Sequence, residues 1–175
     1  KIKIKPEIIS IKKNIKNIAQ IKKNYIEPKE LQKILDDGKE IYLLDTRNNY
    51  EINIGTFKNA KNLNILKFED FANKSDELKN INGEVVMFCT GGIRCEKAQG
   101  YLVENGINSF KQLKGGIINY LIETNGKHWD GECFVFDDRI TIDKELNPTY
   151  KNLCPNCQVV INSIDRTYCD CNKIL

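Results

Sequence analysis

The stretch Val85-Val86-Met87-Phe88-Cys89-Thr90-Gly91-Gly92-Ile93-Arg94-Cys95-Glu96-Lys97-Ala98 decides how this chain folds. Four apolar residues in a row suit a strand covered on both faces. A cysteine follows, then a glycine loop, then the first turns of a helix. A thiol at a strand end, facing a helix N-terminus, sits where unpaired backbone N–H groups converge. Their positive potential, with Arg94 adjacent, favours thiolate over thiol. Gly91 and Gly92 let successive N–H groups turn inward with no Cβ in the way. The loop is suited to covalent sulfur chemistry or to cradling an anion. A cysteine phosphatase would need its arginine one residue further on, where Cys95 stands, so that reading fails on spacing. The smaller cradle from Thr90 to Cys95 suits a sulfur atom carried on Cys89 as a persulfide. A structural cysteine at a strand end is the plainer alternative; the glycine pair and Arg94 argue against it.

Moving outward, apolar runs alternate with helical patterns. Short strands are expected at residues 25–26, 41–44, 63–65, 85–88 and 110–113, and helices at 28–37, 49–52, 68–78, 95–105 and 116–124. Pro28 suits a first helical turn, and Gly38, Gly106 and Gly126 suit helix ends. Strands alternating with helices through short loops imply an α/β fold: a parallel sheet with helices on both faces. Ligands of such sheets bind beyond the carboxyl ends of the strands. Cys89, Asp45-Thr46-Arg47 and Lys114-Gly115-Gly116 all fall there. After Gly131 the alternation is lost, and residues 134–139 read as one strand or an extended strap.

The ends differ from the middle. Residues 1–24 are rich in lysine and form a basic arm, read as solvated or as an RNA contact. Lys1 in place of Met suggests a chain trimmed from a longer one. Residues 131–175 make a strap and a small Cys-rich tail. Cys154-Pro-Asn-Cys157 has the spacing of a metal knuckle, and Cys169-Asp-Cys171 would complete four thiolates for a structural zinc ion. A tail this short and polar has little else to fold it. Seven cysteines, an odd number with close pairs, do not make a secreted disulfide framework. With no apolar run of about 18 residues and no leader pattern, a cytoplasmic protein without a membrane span is expected. A net charge of +3 neither selects nor excludes nucleic acid.

The motifs also resemble a known family. Asp45-Thr46-Arg47 with Tyr50-Glu51 and Gly55, and Leu113-Lys114-Gly115-Gly116-Ile117, are similar to the rhodanese pattern. Cys89-Thr-Gly-Gly-Ile-Arg-Cys-Glu-Lys-Ala98, with Gly131-Glu132-Cys133-Phe134-Val135-Phe136-Asp137-Asp138-Arg139, resembles the rhodanese-domain family of oxygen-dependent tRNA uridine-34 hydroxylases. That resemblance implies a rhodanese-like catalytic domain at residues 25–130. It implies 5-hydroxylation of the wobble uridine with molecular oxygen as co-substrate, and tRNA, at its anticodon region, as partner. Cys89 matches the family's catalytic cysteine and Arg94 its loop arginine. Family members carry an N-terminal ferredoxin-like domain, of which residues 1–24 would be the end.

Two other functions compete: a sulfurtransferase that takes sulfane sulfur from a donor onto Cys89, and a non-enzymatic module gripping RNA or protein through its tail. The intact Cys89 and Arg94 argue against the latter. No flavin or nicotinamide motif is present, and the single histidine, His128, rules out a two-His iron site. Asp45 is expected to orient the loop by accepting its N–H bonds, and Arg47 to pair with Glu51 or Asp45. Cys95 is read as a packing residue or a resolving thiol, and His128 as a boundary residue. Asp137, Asp138 and Arg139 are expected to tie the tail to the sheet or to line the pocket.

Overall fold

A computed structural model of the chain describes residues 9–11, 15, 23–81, 83–149, 151–154 and 160–161. Its centre is a five-stranded parallel sheet. In chain order the strands are β1 (Tyr25–Ile26), β2 (Tyr42–Asp45), β4 (Lys61–Asn62), β5 (Val85–Phe88) and β6 (Phe110–Leu113); β3 (Gly55–Phe57) lies outside the sheet. The spatial order is β1-β6-β5-β2-β4, so β5 is central, between β6 and β2. Its residues point alternately to two cores, as strand geometry requires. Val85 and Met87 face one side with Leu44, Leu102 and Phe71. Val86 and Phe88 face the other with Leu43, Ile117 and Tyr120. Burial on both sides explains the unbroken apolar run.

The helices divide accordingly. α1 (Pro28–Asp36) and α5 (Gly116–Thr124) cover the second face, while α3 (Phe71–Lys74) and α4 (Ile93–Glu104) cover the first. α2 (Asn49–Ile52) lies between β2 and β3 in the chain. Beyond α5, β7 (Trp129–Gly131) pairs antiparallel with β3. Phe57 packs edge-on against Phe88, Tyr120 and Trp129, which joins this pair to the second core.

Several expected boundaries move, each for a physical reason. α4 begins at Ile93, before the expected 95, because Gly92 takes a left-handed φ of 92° as its N-cap. The strand expected at 63–65 is instead Lys61–Asn62. Leu63 and Ile65 are buried, but Asn64 at φ 51° breaks the extended run between them. The single helix expected at 68–78 is two 3-10 turns flanking α3. There Ser75 Oγ donates to the Ala72 carbonyl, in competition with the helical ladder. The strap is a hairpin: β8 (Cys133–Phe134) pairs with β9 (Thr141–Ile142), and residues 135–140 form the turn. A short antiparallel pair, β10 (Asn152–Leu153) and β11 (Val160–Ile161), follows.

The basic arm is not merely solvated. Ile11 is fully buried in the first core, with Ile9 and Ile15 packed beside it, and Lys97 donates to the Ile9 carbonyl at 2.6 Å. The periodic Lys1-Ile2-Lys3-Ile4-Lys5 lies outside the described residues.

α5 docks its free N-terminal N–H groups onto the loop after β5: Ile117 donates to the Cys89 carbonyl at 2.9 Å, and Ile118 to the Thr90 carbonyl at 3.1 Å. A Cβ on Gly116, at φ +66°, would lie 2.4 Å from the Cys89 carbonyl oxygen and 2.7 Å from that of Thr90. Gly116→Ala is therefore expected to cost at least about 2 kcal/mol, strain and crowding together. Gly38→Ala has a similar φ of +65° but open space around it; it should cost about 1 kcal/mol. Urea unfolding of both variants checks the order; equal costs would mean that α5 does not press on the loop.

Candidate active site

The carboxyl ends of β5, β2 and β6 lie side by side, and the loop Cys89–Arg94 rises from the central one. Its start is fixed from β2. Thr46 gives both its backbone N–H and its hydroxyl to the Phe88 carbonyl, each at 3.0 Å. Its other end is the first turn of α4, which places Arg94 and Cys95 on a rigid helix rather than on a mobile loop.

Cys89 lies at the floor, 2% exposed. The Gly92 N–H donates to its Sγ at 3.1 Å. The Cys95 thiol donates to it as well, and the N–H groups of Arg94 and Cys95 are directed at it. The hydrogen bond from Cys95 is the largest influence on the Cys89 thiol; burial opposes it, and the Arg94 charge assists. Together they lower its pKa to about 6. Cys95 moves the other way. Burial and the neighbouring Cys89 push its thiol well above the ordinary range, and its Sγ lies 3.5 Å from the Thr46 hydroxyl. The pair thus holds one proton between two sulfurs, with Cys89 as thiolate and Cys95 as donor.

Arg94 is held by a buried two-pronged ion pair with Glu51, at 2.5 and 2.7 Å. Glu51 also accepts the Asn48 N–H at the start of α2. Arg94 further donates to the Thr90 hydroxyl at 3.3 Å. Its guanidinium lies 5.5 Å from the ring centre of Phe136. Phe136 sits in the hairpin turn and packs edge-on against Phe134, which packs edge-on against Tyr50. The Thr90 hydroxyl reaches the Phe134 carbonyl at 3.5 Å, so the hairpin is tied to the loop.

Asp45 does not accept loop N–H groups as expected. Its carboxylate takes the Arg47 N–H and guanidinium and the Thr56 hydroxyl. Arg47 also donates to the Gly55 carbonyl at 2.6 Å and lies over the Trp129 ring. Of the two partners expected for Arg47, Asp45 is the one it pairs with; Glu51 belongs to Arg94. Asp45 and Arg47 thus clamp the loop that joins β2 to β3. Asp137 and Arg139 fork to each other at 2.6 and 2.9 Å and stiffen the hairpin turn instead of tying it to the sheet. His128 is paired with Asp36 at 2.6 Å. The roles of Glu51, Thr46 and Phe136 toward the loop were not foreseen. A Glu soon after the Asp-x-Arg motif was the available signal for Glu51.

Of the four thiols expected to hold zinc, Cys154 is buried, whereas Cys157, Cys169 and Cys171 lie outside the described residues. Among the described residues no group of three or more metal-binding side chains is gathered. No helix among them is long and apolar enough to cross a membrane. The groove of about 610 Å³ lined by Leu35, Tyr42, Glu84 and His128 lies at the amino ends of β2 and β5, remote from Cys89.

Residues 27–123 match the model of the rhodanese-like domain. The chain is 41% identical over 173 residues to the tRNA uridine(34) hydroxylase of Synechococcus elongatus, covering 97% of this chain and 64% of that protein. It is 42% identical over 163 residues to that of Synechocystis, covering 90% and 58%. The chain therefore spans about three-fifths of the length of these relatives. Among solved structures, a rhodanese-like domain from Anabaena superposes with a TM-score of 0.52 at 19% identity, covering 63% of this chain and 80% of that one. A thiosulfate sulfurtransferase from Pseudomonas aeruginosa gives 0.52 at 21%, covering 62% and 20%. These two speak for the fold.

The thiol pair predicts a pH profile. Alkylation of Cys89 should rise with pH through about 6 and level off above it, because only the thiolate reacts. Cys95→Ala removes the strongest hydrogen bond to the thiolate and should move the midpoint upward. A native midpoint near the free-thiol value of about 8.5 would refute the arrangement.

Proposed function

Since the chain belongs to the rhodanese-like domain family, we propose that it is a tRNA-modifying enzyme that 5-hydroxylates the wobble uridine through Cys89, with molecular oxygen as co-substrate. The observation that carries this reading is the buried Cys89 thiolate, met by the Gly92 N–H, the Cys95 thiol and the Arg94 charge, in a chain about 41% identical to tRNA uridine(34) hydroxylases over nearly its whole length. Cys89 is the reacting group. Arg94 steadies its negative charge, and Thr90, Gly91, Gly92, Ile93 and Cys95 complete the cradle. Asp45 and Arg47 hold the connection from β2 to β3. The substrate is tRNA at its anticodon region. Residues 25–130 form the catalytic domain, and residues 131–175 the strap and tail. The chemistry calls for a reducing, cytoplasmic setting, in keeping with the thiols Cys89, Cys95 and Cys133, none of which is in a disulfide.

A second reading is supported by the same cradle. N–H groups that stabilise a thiolate would equally stabilise a terminal sulfane sulfur, so a sulfur donor passing a persulfide to Cys89 remains the alternative activity. Thiosulfate-to-cyanide transfer that vanishes in Cys89→Ser would favour it.

Expression of the chain, joined to the remainder of its natural protein if longer, in cells lacking 5-hydroxyuridine-derived nucleosides tests the first reading. Mass spectrometry of their tRNA should show these nucleosides with the wild type and none with Cys89→Ser; wild-type protein that leaves the uridine unmodified refutes it. The tail is expected to hold about one zinc ion per chain on Cys154, Cys157, Cys169 and Cys171. Metal analysis of the reduced protein checks this, and a content near zero removes the zinc.

A further inference from the structure

We propose that Phe136 is the stacking shelf on which the target pyrimidine is laid before it meets Cys89. This rests on the uridine reading above and adds to it the residue that receives the base.

Phe136 is 68% exposed, although the strand residues of its hairpin, Cys133, Phe134, Thr141 and Ile142, are buried and Ile140 in the turn is half-buried. One exposed apolar side chain alone would call for no explanation. This one is fixed in place. Its edge is packed on Phe134 at 5.0 Å, and the Arg94 guanidinium lies 5.5 Å from its ring centre. Arg94 is itself immobilised by Glu51 and is the arginine of the thiolate loop. The turn that carries Phe136 is stiffened by the Asp137–Arg139 fork and by the Val135 N–H donating to the Ile140 carbonyl at 2.9 Å. A rigid, solvent-facing aromatic ring is thus held beside the loop that contains the reacting thiol.

The chemistry of the occupant follows from the chemistry of the reaction. The C5 edge of a pyrimidine in an A-form helix lies in a deep, narrow groove that a thiol at the floor of a loop cannot enter, so the nucleotide must be unstacked or already single-stranded. Unstacked bases are received on aromatic faces or guanidinium planes, and such contacts need no particular sequence. Phe136 offers the face opposite Arg94, whose guanidinium lies over the ring. The hairpin also lies after residue 123, where the match to the rhodanese-like domain ends, yet within the chain aligned to the uridine hydroxylases.

The experiment compares Phe136→Ala, Phe136→Leu and Phe136→Tyr in uridine hydroxylation of tRNA, with the unfolding midpoint of each variant measured in parallel. Loss of one base-stacking contact should lower kcat/KM by about 10- to 100-fold, mostly through KM. Leu, apolar but without a flat face, should fall with Ala, while Tyr should stay within a few-fold of wild type. If Leu restores the wild-type value, Phe136 only packs the hairpin and the shelf is overturned. A second readout does not depend on turnover: tRNA carrying 4-thiouridine at position 34 is irradiated with the full Cys89→Ser protein, and the crosslinked peptide is sequenced. A crosslink at Phe136 is expected; a crosslink only elsewhere overturns the shelf even if an Ala or Leu variant has failed to fold. Absence of hydroxylation by the wild type together with absence of any crosslink to the Cys89→Ser protein overturns the uridine reading, and the shelf with it. Hydroxylation that is indifferent to all three substitutions overturns the shelf alone.

Discussion

The two hydrogen bonds from Ile117 and Ile118 to the carbonyls of Cys89 and Thr90 set the polarity of the loop. In a planar peptide the N–H lies opposite the C=O. Drawing these carbonyls toward α5 turns the following N–H groups away from it. The free donors at the start of α5 would otherwise need solvent or a cap. One contact therefore satisfies two sets of unpaired groups, the N-terminus of α5 and the carbonyls of the loop. It is possible only because Gly116 brings no Cβ against the loop backbone.

Around that loop two arginines are buried, and they do different work. Arg47 is fully buried and saturates Asp45, so that pair reads as a structural clamp. Arg94 is also buried on Glu51, but it sits within Coulombic reach of Cys89. Burying such pairs is costly, and removing one partner commonly loses about 3–5 kcal/mol. For Arg47 the return is the fixed join of β2 to β3. For Arg94 the return is a permanent positive charge beside a sulfur whose own burial disfavours ionisation. Glu51 reaches it from α2, whose first turn it also closes, so the charge near the thiol depends on a helix of four residues.

Much of this was legible in the sequence because β5 is apolar throughout and the loop spacing is short. Strands 85–88 and 110–113 and helices 49–52 and 116–124 have the expected bounds. The clearest failures lie where burial does not imply a ladder. Leu63 and Ile65 have strand periodicity but are anchors of an irregular segment, since Asn64 adopts a left-handed backbone. Asp45 was assigned to the loop because both lie at strand carboxyl ends. Proximity in the sheet does not decide which of several donors a carboxylate takes, and Arg47, two residues on, wins by being local and charged. The turn between β8 and β9 was hidden because Asp137-Asp138-Arg139 reads as polar strap, whereas its Asp–Arg fork closes a turn. That Phe136 faces solvent was equally hidden, because periodicity in Phe134-Val135-Phe136 gives no sign of where the strand ends.

A cradle of N–H groups around a sulfur recognises an anion or a sulfane atom, and nothing about it distinguishes a nucleic acid from a small donor. Residues 27–123 match the rhodanese-like domain, whereas the likeness to the uridine hydroxylases runs over 97% of the chain. What lies outside residues 27–123 is therefore where this chain departs from the bare domain. Here the addition that reaches the loop is the β8–β9 hairpin, through the Phe134 carbonyl on Thr90 and the Phe136 ring on Arg94. It contacts the two loop side chains that flank the cradle while leaving the thiolate's own hydrogen bonds intact. The buried sulfur and the exposed aromatic surface beside its loop are thus built from different parts of the chain, joined at Thr90 and Arg94.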